Sequence, residues 1–451
     1  MISSIVKRDG RVVPFLRDKI SFAIYRAAVA VGGRDRALAE AVTEDVVAII
    51  DRAVPGVGAE AIQDADVATV EEVQDAVEKA LIERGPARTA KAYIIYRYEH
   101  ALKREGKPSL TYSFDNIPYK SLWETLAWAT DHDCARLSDL NRWVDRFPEL
   151  VTASEAFYHR QVDAAVDAIC DSAPALRLVI VAGPSSSGKT TTTLKVRERL
   201  EARGMQMFAL TVDDYFFDLA LHPRDHRGDY DFESPQALDL KLINQHVLAL
   251  LAGDEVALPK YDFKAGVRTD EARRARLAAG TVVLIDSLHG LFPEMTAGID
   301  RSAQASVYVE TLSQLKTATG NFVRWSDIRM LRRMVRDAQF RNYDTRQTLM
   351  HWHHVRRAEM RHIVPRLHSA TAIVNTWLAY ELPVLKGRVG DDVMRFAREL
   401  GADDDPDLDD ARARIERVRD LFAAVPIAFN EGIIPGDSLM REFIGGSSYG
   451  Y

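Results

Sequence analysis

The stretch VIVAGPSSSGKTTTT, Val179 to Thr193, decides how the chain is read. Gly183, Gly188, Lys189 and Thr190 stand at the spacing G-x-x-x-x-G-K-T. An apolar run, LRLVIV, precedes them, and a helical pattern begins at Thr190. Glycines let successive backbone N–H groups converge on phosphate oxygens, and the following helix points its positive end at the anion. Gly183, Ser185, Ser186, Ser187, Gly188, Lys189, Thr190 and Thr191 are therefore expected to hold a nucleotide. Lys189 would lie on the β/γ oxygens and the Thr190 hydroxyl on Mg²⁺.

Outward from this loop, apolar runs recur at MFALTVDDYF (207–216), TVVLIDSLHG (281–290) and ATAIVNT (370–376), with helical patterns between them. Strands alternating with helices predict a parallel sheet flanked by helices, with ligands gathered at the strands' carboxyl ends. Asp286 closes the run VVLI, where a second Mg²⁺ position is expected. Asp213 and Asp214 close the second strand, where a carboxylate can take a proton from an attacking hydroxyl. Arg329, Arg332, Arg333 and Arg336 recur at helical spacing and share a face suited to phosphoryl oxygens.

The 451 residues carry 47% hydrophobic and 28% charged side chains and a net charge of −7, which makes no case for nucleic acid or an anionic membrane. Two cysteines, Cys134 and Cys170, have no metal-ligand spacing and suit a reducing cytoplasm. No signal-peptide pattern opens the sequence, and no apolar run is long enough to span a bilayer. Near the N-terminus, residues 3–15 read as a β-hairpin turning at Asp9-Gly10, and four helical patterns follow. Thr69 and Glu72 form a capping box at the third helix. Residues 104–120 look like a linker. Residues 121–173 are helical by pattern and carry no motif. The HWHH cluster (His351, His353, His354) has no Cys or acid among its members and reads as structural or substrate-side rather than metal-binding.

Over residues 176–378 the motifs resemble, in order, those of uridine kinases and phosphoribulokinases. VDDYFFD resembles the D-x-[FY]-[FY] motif, and the resemblance selects Asp214 as catalytic base. YDFESPQALD matches an acceptor-sugar stretch through Glu233, Pro235 and Asp239. LPKYDFKAGVR matches another through Tyr261, Asp262 and Arg268. RMLRRMVRDAQFR resembles the Arg-rich lid helix, implying Lys189, Arg333 and Arg336 in catalysis and Arg332 and Arg341 at the substrate. Two features depart from the pattern. Gly266 stands where uridine kinases carry a base-reading His, and Arg341-Asn342-Tyr343 replaces R-G-R. The terminal REFIGGS (Arg441–Ser447) resembles the tail of a uridine-kinase-like branch. Residues 3–98 resemble the ATP-cone regulatory domain, through KRDGRVVPF, VEEVQDAVEKAL and AKAYIIYR. That resemblance places Lys7, Arg8 and Lys19 on nucleotide phosphates.

The expectation is an ATP-cone (1–104), a linker and helical segment (105–175), a P-loop uridine kinase-like α/β domain (176–385) and a helical C-terminal segment (386–451). The implied activity is transfer of ATP's γ-phosphoryl to a nucleoside or small polyol, with ATP or dATP sensed at the cone and assembly into homo-oligomers. The alternatives are a sugar or sugar-phosphate kinase, a plain ATPase, and an ATP-switched regulator. A cone-bearing repressor would need a four-Cys zinc ribbon that two cysteines cannot build.

Overall fold

The computed structural model describes residues 4–6, 12–30, 36–53, 67–84, 89–90, 93–94, 117–173, 175–224, 230–341, 343–401, 405, 408–427 and 430–450. The chain divides into two compact units, Met1–Thr111 and Tyr112–Tyr451.

In the first unit, β1 (Ser4–Val6) pairs antiparallel with β2 (Val12–Pro14), as the Asp9-Gly10 signal predicts. β1 also pairs in parallel with β3 (Val67–Thr69), a strand too short to show in the sequence pattern. Helices α1 (Arg17–Ala30), α2 (Arg36–Ala53) and α3 (Val70–Arg84) bury Ile20 and Ile24, Val42 and Val46, and Val77 and Leu81 respectively. The capping box at α3 forms. The Thr69 hydroxyl accepts from the Glu72 N–H at 3.2 Å, and Glu72 accepts from the Thr69 N–H at 2.7 Å. Of the fourth helical pattern, Tyr96 and Arg97 lie outside the described residues, as do Lys7 and Arg8.

The second unit is built on a five-stranded parallel sheet, ordered β10-β9-β4-β8-β5. Its strands are β4 (Leu178–Ala182), β5 (Met207–Thr211), β8 (Val282–Ser287), β9 (Gln304–Glu310) and β10 (Ala372–Asn375). β4 is buried along its whole length because both faces are covered. Val179 and Val181 face one core, shared with Leu284, Val307 and Val309; Leu178, Ile180 and Ala182 face the other, with Leu210, Val283 and Ile285. That two-sided burial is why the strand reads as an unbroken apolar run. The central strand β4 thus delivers its loop to the crevice between β8 and β9.

The fifth strand, β9, and an antiparallel hairpin, β6 (Val256–Asp262) with β7 (Val267–Ala275), are absent from the sequence reading. The second strand is also shorter than read: it stops at Thr211, and Val212–Tyr215 turns as a 3₁₀ segment. The segment boundaries at 175 and 385 do not separate compact bodies. Helices α4 (Tyr119–Asp131), α5 (Phe147–Ser172), α10 (Glu381–Gly401) and α11 (Asp409–Ala423) place Trp128, Tyr158, Val393 and Ile415 in the same core as β4 and β9. No described helix is long and apolar enough to cross a membrane.

Candidate active site

The loop after β4 runs into α6 (Lys189–Ala202). That helix has few apolar residues on its first turns and buries Thr191, Thr192 and Thr193 instead. The Thr192 hydroxyl donates to the Gly188 carbonyl at 2.7 Å and lies 2.9 Å from the Tyr158 hydroxyl. Gly188 adopts φ +89°, and a Cβ there would lie 2.3 Å from the Leu439 side chain, so only glycine fits the turn. The buried hydroxyls of Ser186 and Ser187 have no hydrogen-bond partner within the protein, which suits a loop that meets ligand oxygens.

Lys189 donates to the Pro184 carbonyl at 3.1 Å. Burial lowers its pKa against the opposing fields of Asp286 and Glu442. Asp286 accepts a hydrogen bond from Thr190. Burial pushes its pKa up to about 6, Lys189 opposing and Asp213 and Glu442 adding to the rise. Thr190 and Asp286 offer only oxygens, as a hard divalent cation requires. No cluster of three metal-capable side chains exists among the described residues, HWHH included. A Mg²⁺ here would therefore complete its shell with phosphate and water oxygens.

The adjacent acids at the end of β5 part company. The Asp214 carboxylate accepts from the Tyr261 N–H at 3.3 Å and pairs with Lys260 at 3.3 Å, tying the strand end to β6. Asp213 stands at the solvent-reached mouth of the cleft, in the fields of Lys189 and Arg341. The protein walls around it raise its pKa, with Asp214 and Glu233 contributing. The resemblance selects Asp214, which is tied to β6; its neighbour Asp213, two residues past the Thr211–Asp286 pairing of β5 with β8, lies in the field of Lys189 and raises the pKa of Asp286.

The lid helix, α8 (Trp325–Phe340), also divides its arginines. Arg332 is fully buried, so its expected role at the substrate is corrected. It pairs with Glu381 at 2.6 Å and donates to the Thr376 carbonyl at 2.7 Å and toward the Ser187 carbonyl at 3.4 Å. Arg329 is likewise buried, against Glu310 and Glu359, and donates to the Ser185 carbonyl at 3.0 Å. Arg333 bridges the Ser185 hydroxyl at 3.1 Å and Glu233 at 2.9 Å. Burial works against the charge of Glu233, but Arg333 more than offsets it and lowers the pKa. Arg336 lies in the field of Lys189, Arg341 in that of Asp213, and both pair with Asp337.

On the acceptor side, Tyr261 is buried in an aromatic cluster with Phe216 and Phe263. Arg268 is held by Asp239 and Asp270. Gly266 sits at φ +68°, and a Cβ there would come within 2.9 Å of the Leu219 side chain, so any side chain at this turn is strained and crowded. His351 lies in the fields of Arg333 and Glu233, on this side of the cleft. His289, which carried no sequence signal, is buried with Nε2 2.9 Å from the Glu233 carbonyl, and burial drops its pKa to about 4. Lys19 is exposed on α1 of the first unit, and Asn342 lies outside the described residues. A cavity of about 650 Å³ behind Arg329 lies apart from this chemistry. Of its lining arginines, Arg417 pairs with Asp327, Arg356 with Glu359 and Arg414 with Asp410.

Residues 178–379 match the Phosphoribulokinase / Uridine kinase family, and residues 3–102 match the ATP cone domain. The uridine kinase of Deinococcus deserti is 28% identical over 195 residues, spanning 43% of this chain and 84% of that protein. The uridine kinase of Aeromonas hydrophila is 30% identical over 172 residues, 36% of this chain and 69% of that protein. That of Halobacterium salinarum is 27% identical over 157 residues, 35% of this chain and 60% of that protein.

Two outcomes follow from this geometry. Arg332→Ala leaves Glu381 buried without its partner and should cost about 3–5 kcal/mol in urea unfolding. Asp286 binds its proton more firmly folded than unfolded, so its ionisation lowers stability as pH rises from about 4 to about 6, by up to about 3 kcal/mol. Asp286→Asn should remove that part of the pH slope, so that the variant gains on the wild type between pH 4 and 7 in the same measurement.

Proposed function

The chain belongs to the phosphoribulokinase and uridine kinase family of P-loop kinases, and on that premise we propose that it transfers the γ-phosphoryl group of ATP to a hydroxyl of a nucleoside, uridine- or cytidine-like, or a related small polyol. The observation that supports the reading is the adjoining ends of β5 and β8, where Thr211 pairs with Asp286 two residues before Asp213, in the field of Lys189 and beside a loop that Arg333 of α8 reaches at Ser185.

In this reading the loop from Gly183 to Thr191 grips the β- and γ-phosphates, and Lys189 leaves the Pro184 carbonyl to reach their oxygens. Asp213 accepts the proton of the acceptor hydroxyl as its oxygen bonds to the γ-phosphorus. The bond to the β-phosphate oxygen breaks and ADP leaves. Arg336 and Arg341 supply positive charge to the equatorial oxygens. Arg333, fixed by Glu233, orders both the loop at Ser185 and the acceptor wall. Thr190 and Asp286 would hold Mg²⁺, which would supply further charge neutralisation.

The acceptor's identity turns on Gly266. A nucleoside kinase of this type reads its base from that turn, and here the turn carries no side chain and would strain one. This favours, as a second reading, a sugar or sugar-phosphate acceptor. The first unit is proposed as a sensor of ATP or dATP acting through homo-oligomer assembly, and the whole chain as a cytoplasmic enzyme.

Acceptor-dependent ADP release, measured over nucleosides, deoxynucleosides, sugars and sugar phosphates, tests the reaction and identifies the acceptor. ADP release that is independent of every acceptor would sink the kinase reading. Asp213→Asn should lower kcat by about 10²–10⁴-fold, and Asp214→Asn should act mainly on stability through the lost Tyr261 tie. The reverse order would return the base to Asp214. ATP or dATP should shift the sedimentation of the full chain, and not that of a chain lacking residues 1–111.

A further inference from the structure

A carboxylate bonded directly to the phosphate loop comes from the far end of the chain. Glu442 Oε2 accepts from the Thr191 N–H at 3.0 Å and from the Thr191 hydroxyl at 2.7 Å. Thr191 is the third residue of α6, so its N–H is one of the four at that end with no partner inside the helix. Such N–H groups are what a phosphate-binding loop offers to phosphate. Glu442 also acts on both Lys189 and Asp286, which places its charge inside the donor site.

The segment bearing Glu442 is fixed. The Ser438 hydroxyl donates to Glu155 at 2.5 Å, as does the Tyr380 hydroxyl, and Asp437 pairs with the buried Lys195 at 2.7 Å. Leu439 closes on Gly188, and Phe443 lies 5.2 Å beneath the Arg332 guanidinium. Leu439, Met440 and Phe443 are fully buried. A tail held this way is a wall of the site rather than a removable plug. The Glu442 side chain, half-buried, is the part with room to rotate.

We propose that Glu442 is a built-in anionic competitor for the donor nucleotide: it occupies the Thr191 donors when the site is empty, must rotate away for a phosphate to bind, and so sets nucleotide affinity. The inference rests on the reading of Gly183–Thr191 as the ATP site. Two like charges cannot share the Thr191 N–H, and in a partly buried cleft their repulsion is poorly screened. The tail residue therefore selects for ligands whose other contacts exceed what Glu442 already makes.

Isothermal titration of the full chain with ADP, with and without Mg²⁺, tests this. Glu442→Gln keeps the shape and removes the charge, and should bind ADP about tenfold more tightly and lower the KM for ATP. Glu198→Gln removes the same charge from the exposed side of α6 and should leave ADP binding unchanged. Independently of any variant, carbodiimide labelling of Glu442 in the wild type, mapped by mass spectrometry, should rise when ADP fills the site. Equal or weaker ADP binding by Glu442→Gln overturns the proposal, as does protection or unchanged labelling of Glu442. If neither wild type nor Glu442→Gln binds ADP, the donor-site reading itself falls, which separates the two failures.

Discussion

The guanidinium of Arg332 is the contact on which the rest of the site depends. One planar group without exposure to solvent meets the Glu381 carboxylate, the Thr376 carbonyl and the carbonyl side of the phosphate loop, and stacks over Phe443. Thr376 in turn donates from its hydroxyl to the Ser187 carbonyl at 2.5 Å. Loop, strand end, lid helix, C-terminal helix and tail are thus fastened to a single buried charge. A bidentate, always-charged fork can do this where lysine could not. Its burial is tolerable only because Glu381 is buried with it. The loop's N–H groups can face a ligand because its carbonyls already have donors behind them, Arg329 at Ser185 and Arg332 at Ser187.

The cleft itself carries a surplus of negative groups. Asp286 and Glu442 act on Lys189, Asp213 lies in the field of Lys189, and both Asp213 and Glu442 push the Asp286 pKa up. Such a site repels a bare polyphosphate and accepts one that arrives with a cation. The arginines that face it, Arg336 and Arg341, are held back by Asp337. Positive charge is in place but committed elsewhere until phosphoryl oxygens compete for it. This fits a group needed in the transition state more than in the ground state.

The sequence shows what local chemistry dictates. The Gly-rich loop, the strand it follows and three further strands are legible because β4, β8 and β10 are buried on both faces and read as apolar runs. β9 is equally buried, but it opens on Gln304, Ala305 and Ser306 and so breaks the run. β7 is almost wholly exposed, and its polar sequence VRTDEARRA is a strand only through its pairing with β6. The arginines of α8 share a face by spacing, as expected. What each meets is decided by Glu310, Glu359, Glu381 and Glu233, and no periodicity in α8 announces those partners. Asp213 and Asp214 are chemically alike and adjacent, and one turn of backbone separates their fates. The role of Glu442, inside the REFIGGS tail, is hidden for the same reason as that of Glu381: its partner, 251 residues away, is supplied by tertiary folding.

The donor half of the site is overdetermined, and the acceptor half is set by backbone. Gly188, Ser185 and Ser187 are each held from at least one other element, so substitutions there disturb the whole assembly. The β6–β7 hairpin meets the rest of the unit through Asp214, Leu219 and Arg268. Its turn at Gly266 is closed by the Leu219 N–H donating to the Gly266 carbonyl at 2.8 Å. A glycine at positive φ pressed against a neighbouring side chain fixes the path of the chain and contributes no group to a ligand. On the same side of the cleft, Glu233 is paired with Arg333 and lies in the field of His351, while Phe216, Tyr261 and His289 are buried. The Glu233–Arg333 pair also holds the phosphate loop at Ser185, so this wall and the loop are joined. On this scaffold a change at Glu233 or Arg333 is therefore felt at the phosphate loop as well.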